Sequence, residues 1–279
     1  MSGHALLIVL FAAVLHASWN AVVKGASDRA VTLAAVALAH AVAGLTLIAF
    51  APPPTSASWI YIFLSTLIHY AYYFLLFQAY RFGDLSQVYP ISRGLAPALV
   101  AFGAFVLIGE SLSPLGWAGL FAISCGIAIL AFPRGANTAD PRAIGIATVL
   151  GITIAAYSIV DGIGIRHAES PMGYIGWLFL FEFPVGLAVL LRRRRLRLAV
   201  SRKVFAIGLV GGALSVLAYG LVLYAKTIAP LGAVSAVRES SVIFASLIGL
   251  VLFKERPWGL RLFSAMIVGC GVIALAVGG

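Results

Sequence analysis

Residues 93–126 read RGLAPALVAFGAFVLIGESLSPLGWAGLFAISCG, and residues 238–271 read RESSVIFASLIGLVLFKERPWGLRLFSAMIVGCG. At a shift of 145 residues the two stretches match without a gap at Arg93 and Arg238, Glu110 and Glu255, Cys125 and Cys270, and Gly126 and Gly271. Apolar coincidences come cheaply in a greasy alphabet, whereas coincident arginines and loop glutamates do not. The chain therefore reads as two copies of one unit.

Each unit is embedded in apolar sequence. The 279 residues are 62% apolar and 10% charged, with a mean hydropathy of +1.06, which places the chain in a bilayer. A hydrocarbon span takes about 20 apolar residues. Ten such runs are present, at 5–23, 31–51, 57–80, 86–109, 114–132, 144–165, 173–191, 204–225, 231–253 and 257–277. The first lacks a basic flank and a small-residue cleavage site, so it reads as a retained helix and not as a removed leader. Five spans per copy is an odd number, so the second copy enters the membrane from the opposite side. The expected fold is an all-α integral membrane protein of ten transmembrane helices in two inverted five-helix repeats, residues 1–133 and 142–279. Inverted repeats place a solute site near midplane, where the halves meet. Arg93 and Arg238 are then expected at mirrored depths, one toward each face, as partners of two gates.

The net charge of +10 is concentrated in loops, above all in RRRRLR at 192–197 with Arg202 and Lys203. Loops after the odd-numbered spans carry about fifteen lysines and arginines and the other side about two, a topology signal and not a nucleic-acid surface. The 192–203 loop is thus expected in the cytoplasm, beneath the inner or plasma membrane, with both termini outside. Cys125 and Cys270 lie in apolar runs without a CxxC partner and read as packing residues. Trp59, Trp117, Trp177 and Trp258 fall near span ends, as interfacial anchors do. No HExxH, GxSxG, P-loop or Cys/His cluster is present. An enzyme is therefore not expected, nor is a cofactor or a metal.

Five ionisable residues fall inside predicted spans: Arg93, Asp161, Glu182, Arg238 and Glu239. Each costs about 2.5 to 3.5 kcal/mol at the centre of a spanning helix, and a leucine offsets only about half a kcal/mol, so these groups must face one another or water. Glu182, in LFLFEFPVG, lies near the middle of its run with Pro184 two residues on. It reads either as a structural glutamic acid bonded to a neighbouring helix or as a proton-carrying or cation-recognising group. Arg238 and Glu239 are adjacent, about 100° apart on a helix, which favours separate partners over pairing with each other. Asp161 stands about a turn from its helix end and reads as an interfacial cap or anchor. Together with His16, the acids Glu182, Glu239 and Asp161 form the candidate proton-coupling or ion-pair set.

In QVYPISRGLAPAL, residues 87–99, Tyr89, Arg93 and Pro97 recur along one helical face. Pro90 and Pro97 each remove an amide donor and so free the carbonyls of Ser86 and Arg93. Freed backbone survives at membrane depth only where protein or water satisfies it. A kinked, cavity-lining helix with a cationic side chain follows. His16, Trp19 and Asn20 cluster on helix 1, and His69, Tyr73 and Tyr80 form a stripe down helix 3. Tyr157, Tyr219 and Tyr224 add rings in the second half. Singly these are ordinary packing residues; together they suit a cavity that binds by stacking, cation–π contact and hydrogen bonding. Gly208 and Gly212 have the spacing of close helix packing.

Ten spans in two repeats, with LHASWNAVVK at 15–24, VYPISRGLAP at 88–97, GES at 109–111 and AVRESSVIFASLIGLVLFKER at 236–256, resemble the EamA-type branch of the drug/metabolite transporter superfamily over essentially the whole chain. The resemblance implies an alternating-access carrier, often an exporter of amino acids or other small metabolites. It implies a central cavity at which Trp19, Asn20, Tyr73, Tyr89, Arg93, Tyr157 and Arg238 fall; His69 joins them from the stripe on helix 3. Similar proteins tend to keep both termini in the cytoplasm, and here the charges say the reverse.

The leading expectation is a secondary active exporter of a small polar or zwitterionic metabolite. Arg93 and Arg238 attract its anionic group, rings hold its apolar part, and Glu182 or Glu239 carries a coupling proton. Its partners are a small-molecule substrate and the lipid bilayer, with no nucleic acid, and a monomer is the working expectation. The alternatives are an exporter of multiple drugs or cationic compounds, in which the acids bind substrate, and a non-transporting membrane assembly subunit.

Overall fold

The computed structural model describes residues 1–82, 85–130, 141–252, 254 and 258–278; the side chains of residues 77, 79–82, 85–87 and 89 also fall outside it. Glu255 and the side chains of Tyr80 and Tyr89 therefore lie outside the described residues. The described residues form twelve α-helices: α1 Gly3–Gly25, α2 Arg29–Phe50, α3 Trp59–Phe82, α4 Leu85–Ile108, α5 Pro114–Ile129, α6 Pro141–Arg166, α7 Pro171–Leu180, α8 Phe183–Arg195, α9 Arg202–Ile228, α10 Leu231–Arg238, α11 Ser241–Val251 and α12 Trp258–Gly278. Their starts are written locally. Ser2, Asp28, Ser113, Ser170 and Ser201 each accept a hydrogen bond from an amide three residues on, and Pro114 and Pro171 follow two of these caps.

Nine of the ten predicted spans correspond to described segments long and apolar enough to cross a bilayer, and the tenth is α5, apolar but 16 residues long. Two spans are not single helices. The seventh is α7 and α8 joined at Phe181 and Glu182, and the ninth is α10 and α11 joined at Glu239 and Ser240. At both joints the amide bonds shorten to three residues, Glu182 to Phe179, Glu239 to Ala236 and Ser240 to Val237, so the turn tightens while these amides stay bonded. Pro184, in the first turn of α8, explains the first break. The second carries no proline and coincides with Glu239, whose side chain turns back onto Arg238.

The duplication is visible in the packing. α5 and α12 cross antiparallel: a Cβ on Gly126 would meet Ser264, Ile267 and Val268, and a Cβ on Gly271 would meet Gly119 and Ile123. Each contact is the other shifted by 145 residues or its neighbour, as a two-fold relation requires. Ser264 Oγ donates to the Gly126 carbonyl at 2.5 Å. Likewise α1 packs on α9 as α6 packs on α3, and α4 packs on α6 as α10 and α11 pack on α1. Cys125 and Cys270 are exposed on the outer surface and do not serve as core packing. The glycines beside them take the interface, and a step of one residue turns the side chain about 100° away.

One pair of seams breaks the symmetry. α2 nests along α9, where Cβ atoms on Gly208 and Gly212 would lie 2.7 and 2.5 Å from those of Ala35 and Ala39. The counterpart seam, α3 with α7, is held apart by rings, with Trp59 and Trp177 centred 5.0 Å apart and Phe63 and Phe181 5.7 Å apart.

Candidate functional site

The site begins where α4 crosses α10. Gly232 lies against Ala101, with room for a Cβ only 2.7 Å from that alanine's own, and this approach brings Arg93 and Arg238 to one place. Glu239 joins them. Its Oε1 accepts from Arg93 Nη1 at 3.0 Å and from Arg238 Nη2 and Nε at 3.0 and 3.3 Å. Its Oε2 is buried without a hydrogen-bond partner among the described residues. On the other side Arg93 Nη2 meets His16 Nε2, and Trp19 Nε1 donates to His16 Nδ1 at 3.3 Å.

Two expectations are corrected here. Arg93 and Arg238 do not point toward opposite faces; they converge on one carboxylate oxygen. Arg238 and Glu239 do pair with each other, because α10 ends at Arg238 and the angular rule for neighbours on a continuous helix does not apply at the turn.

Glu182 forms a second centre. Tyr73 donates its hydroxyl to Glu182 Oε2 at 3.0 Å, and His40 Nδ1 stands 3.0 Å from the same oxygen. His40 Nε2 lies 3.1 Å from Ser215 Oγ, and Tyr70 donates to the Phe181 carbonyl at 2.6 Å. The carboxylate thus ties α2 and α3 to the α7–α8 turn, and His40 extends the link to Ser215 of α9. Among the described residues no arginine or lysine pairs with it. His40 was not singled out from sequence, because it stands alone in an alanine-rich run with nothing beside it to mark it.

Both centres border one cavity of about 750 Å³, counted with its open mouth. Its wall includes Arg93, Arg238, Glu182, His40, His16 and Trp19, while Glu239 sits behind the arginines and off the wall. Aromatic groups join the two ends: the His69 and Tyr157 rings stack at 4.3 Å, Tyr219 lies 6.3 Å from Tyr157, and Phe179 lies between Tyr219 and His40. Tyr73, His69 and Tyr157 line the cavity. Asn20 does not; its amide donates to the His16 carbonyl of its own helix at 2.7 Å. Tyr224 is also absent from the wall.

Asp161 is no interfacial anchor. It is fully buried, bonded by the Tyr174 hydroxyl at 3.1 Å and by that of Tyr219, because α6 continues beyond it to Arg166 and α7 folds back over it. Nearby, Lys226 is fully buried and donates to the Ser158 carbonyl at 2.9 Å. It lies beyond the end drawn for its span from sequence and so escaped the count of buried ions. Among the described residues no three His, Cys, Asp or Glu side chains gather as a metal set.

The EamA-like transporter family model matches residues 3–132 and again residues 142–277. A curated relative from Sinorhizobium sp., named "Uncharacterized transporter in cobO 3'region", is 31% identical over 74 residues, covering 26% of this chain and 52% of the relative. The matched stretch thus spans about half the length of that relative. A solved structure titled "Crystal structure of protein" superposes with a TM-score of 0.75 at 17% identity, covering 100% of this chain and 98% of the other. That likeness concerns the fold alone.

Proposed function

The chain belongs to the EamA-like transporter family, and from that premise we propose that it is a secondary exporter of a small zwitterionic metabolite such as an amino acid. The arginine pair receives the solute's carboxylate, the rings of Tyr157 and Tyr219 flank its apolar part, and Glu182 receives its ammonium group. The observation that carries this reading is the shared use of one buried carboxylate by two guanidiniums that both line the cavity. Two permanent cations against one anion leave an excess positive charge, and buried charge must be matched. Glu182, with only histidine and phenol partners, takes a proton when the ammonium leaves, which couples the two. The chain works as a carrier and not as an enzyme. The arginine-rich 192–203 loop is proposed to face the cytoplasm with the termini outside, which reporter fusions at residue 279 test.

Uptake of radiolabelled amino acids into proteoliposomes tests the carrier reading. Saturable flux is expected, with Arg93→Ala raising the half-saturating concentration by about tenfold or more, the cost of one lost charge-assisted bond. If Arg93→Ala leaves affinity unchanged and organic cations compete instead, the site belongs to a cationic-compound exporter.

A further inference from the structure

We propose that Glu239 sets the charge class of the solute without touching it: by cancelling one of two buried positive charges, it restricts the cavity to solutes that present a single carboxylate to Arg93 and Arg238. The inference rests on the carboxylate-binding role of that pair argued above.

Glu239 is placed to count charge and not to bind. Its side chain is 1% exposed and off the cavity wall, behind two guanidiniums that are on it. All three of its hydrogen bonds fall on Oε1, the oxygen facing the arginines. Arg238 spends Nε and Nη2 on Glu239, and its Nη1 has no acceptor among the described residues. The carboxylate is fixed by backbone as well, since it stands on the tight turn that ends α10. Among the described residues of the wall, Arg93 and Arg238 are the only permanent cations and Glu182 the only carboxylate. His16 meets Arg93, and Tyr157 is within electrostatic reach of both arginines.

Two guanidiniums and Glu239 present one net positive charge, which one solute carboxylate neutralises. A second carboxylate enters uncompensated in a poorly solvated space, where an unmatched unit charge is strongly disfavoured. Discrimination of this kind works by penalising the wrong solute, and it acts from behind the binding surface.

Purified protein is titrated with neutral amino acids, each with one carboxylate, and with aspartate and glutamate, each with two, reading thermal stabilisation. Wild type is expected to prefer the first class. Glu239→Gln raises the relative affinity for the two-carboxylate class by about tenfold or more, whereas Glu239→Asp keeps the wild-type preference. Combining Arg238→Gln with Glu239→Gln returns the net charge to one and restores the wild-type order. Arg238→Gln alone, with no net charge, loses the response to both classes. If Glu239→Gln does not fold, the last two variants decide. An unchanged preference in Glu239→Gln, or no recovery in the double variant, overturns the inference while the arginine pair keeps its role. A wild-type protein that ignores both classes overturns the carboxylate-binding reading, and this inference with it.

Discussion

Glu110 and Arg166 meet at 2.6 Å across 56 residues of sequence. Arg166 also donates from Nε to the Lys226 carbonyl at 2.7 Å and from Nη2 to that of Ala229 at 2.9 Å. Glu110 Oε2 accepts from the Leu231 amide, at the start of α10, at 2.7 Å. One ion pair therefore joins the ends of α4, α6 and α9 to the beginning of α10, satisfying backbone groups that helix ends leave open.

Glu110→Gln is expected to loosen that corner. The pair is about a quarter exposed, so its loss costs only about 0.5 to 1 kcal/mol. The effect shows locally, as faster amide hydrogen exchange across 229–232 with the α5–α12 crossing unchanged. Exchange that stays at the wild-type rate there rules out a structural role for the pair.

Glu182→Gln tests the coupling role. Proteoliposomes carrying this variant are expected to lose solute accumulation driven by a pH gradient, because an amide cannot cycle a proton, and to retain counterflow at a raised half-saturating concentration, because the amide oxygen still accepts from the ammonium without its charge. Accumulation at the wild-type level removes Glu182 from the coupling role. Glu182→Leu goes further, stranding the buried Tyr73 hydroxyl, and lowers stability by about 1 to 3 kcal/mol.

Gly271→Val tests the two-fold crossing. A Cβ at Gly271 falls 2.6 Å from the Gly119 carbonyl oxygen, so the helices must separate, at a cost of about 1 to 3 kcal/mol read as a lowered Tm in detergent. Gly145→Ala, where a Cβ meets nothing within 4 Å, is the control and is expected to hold or raise Tm.

The repeat was legible in sequence because Arg93 and Arg238, or Gly126 and Gly271, are costly or shape-critical inside hydrocarbon, and their spacing survives in the packing. The helix breaks were not, since hydropathy runs unbroken through 173–191 and 231–253 and registers no change of direction. A carboxylate in each run marked the places without saying what happened there. Asn20 read as a cavity residue because a polar amide in a span looks functional until it is seen bonding its own helix. Asp161 is misread and Lys226 missed at the ends of spans, where a few residues of error decide between interface and core.

The seams flanking the cavity differ in what separation would do to them. Prising α2 from α9 would bare main chain and open voids that glycine and alanine are too short to fill, whereas sliding α3 along α7 trades one ring contact for another. A duplicated chain need not be mechanically even-handed. Compliance here belongs to the side padded with tryptophan and phenylalanine, and stiffness to the side that has almost no side chain at all.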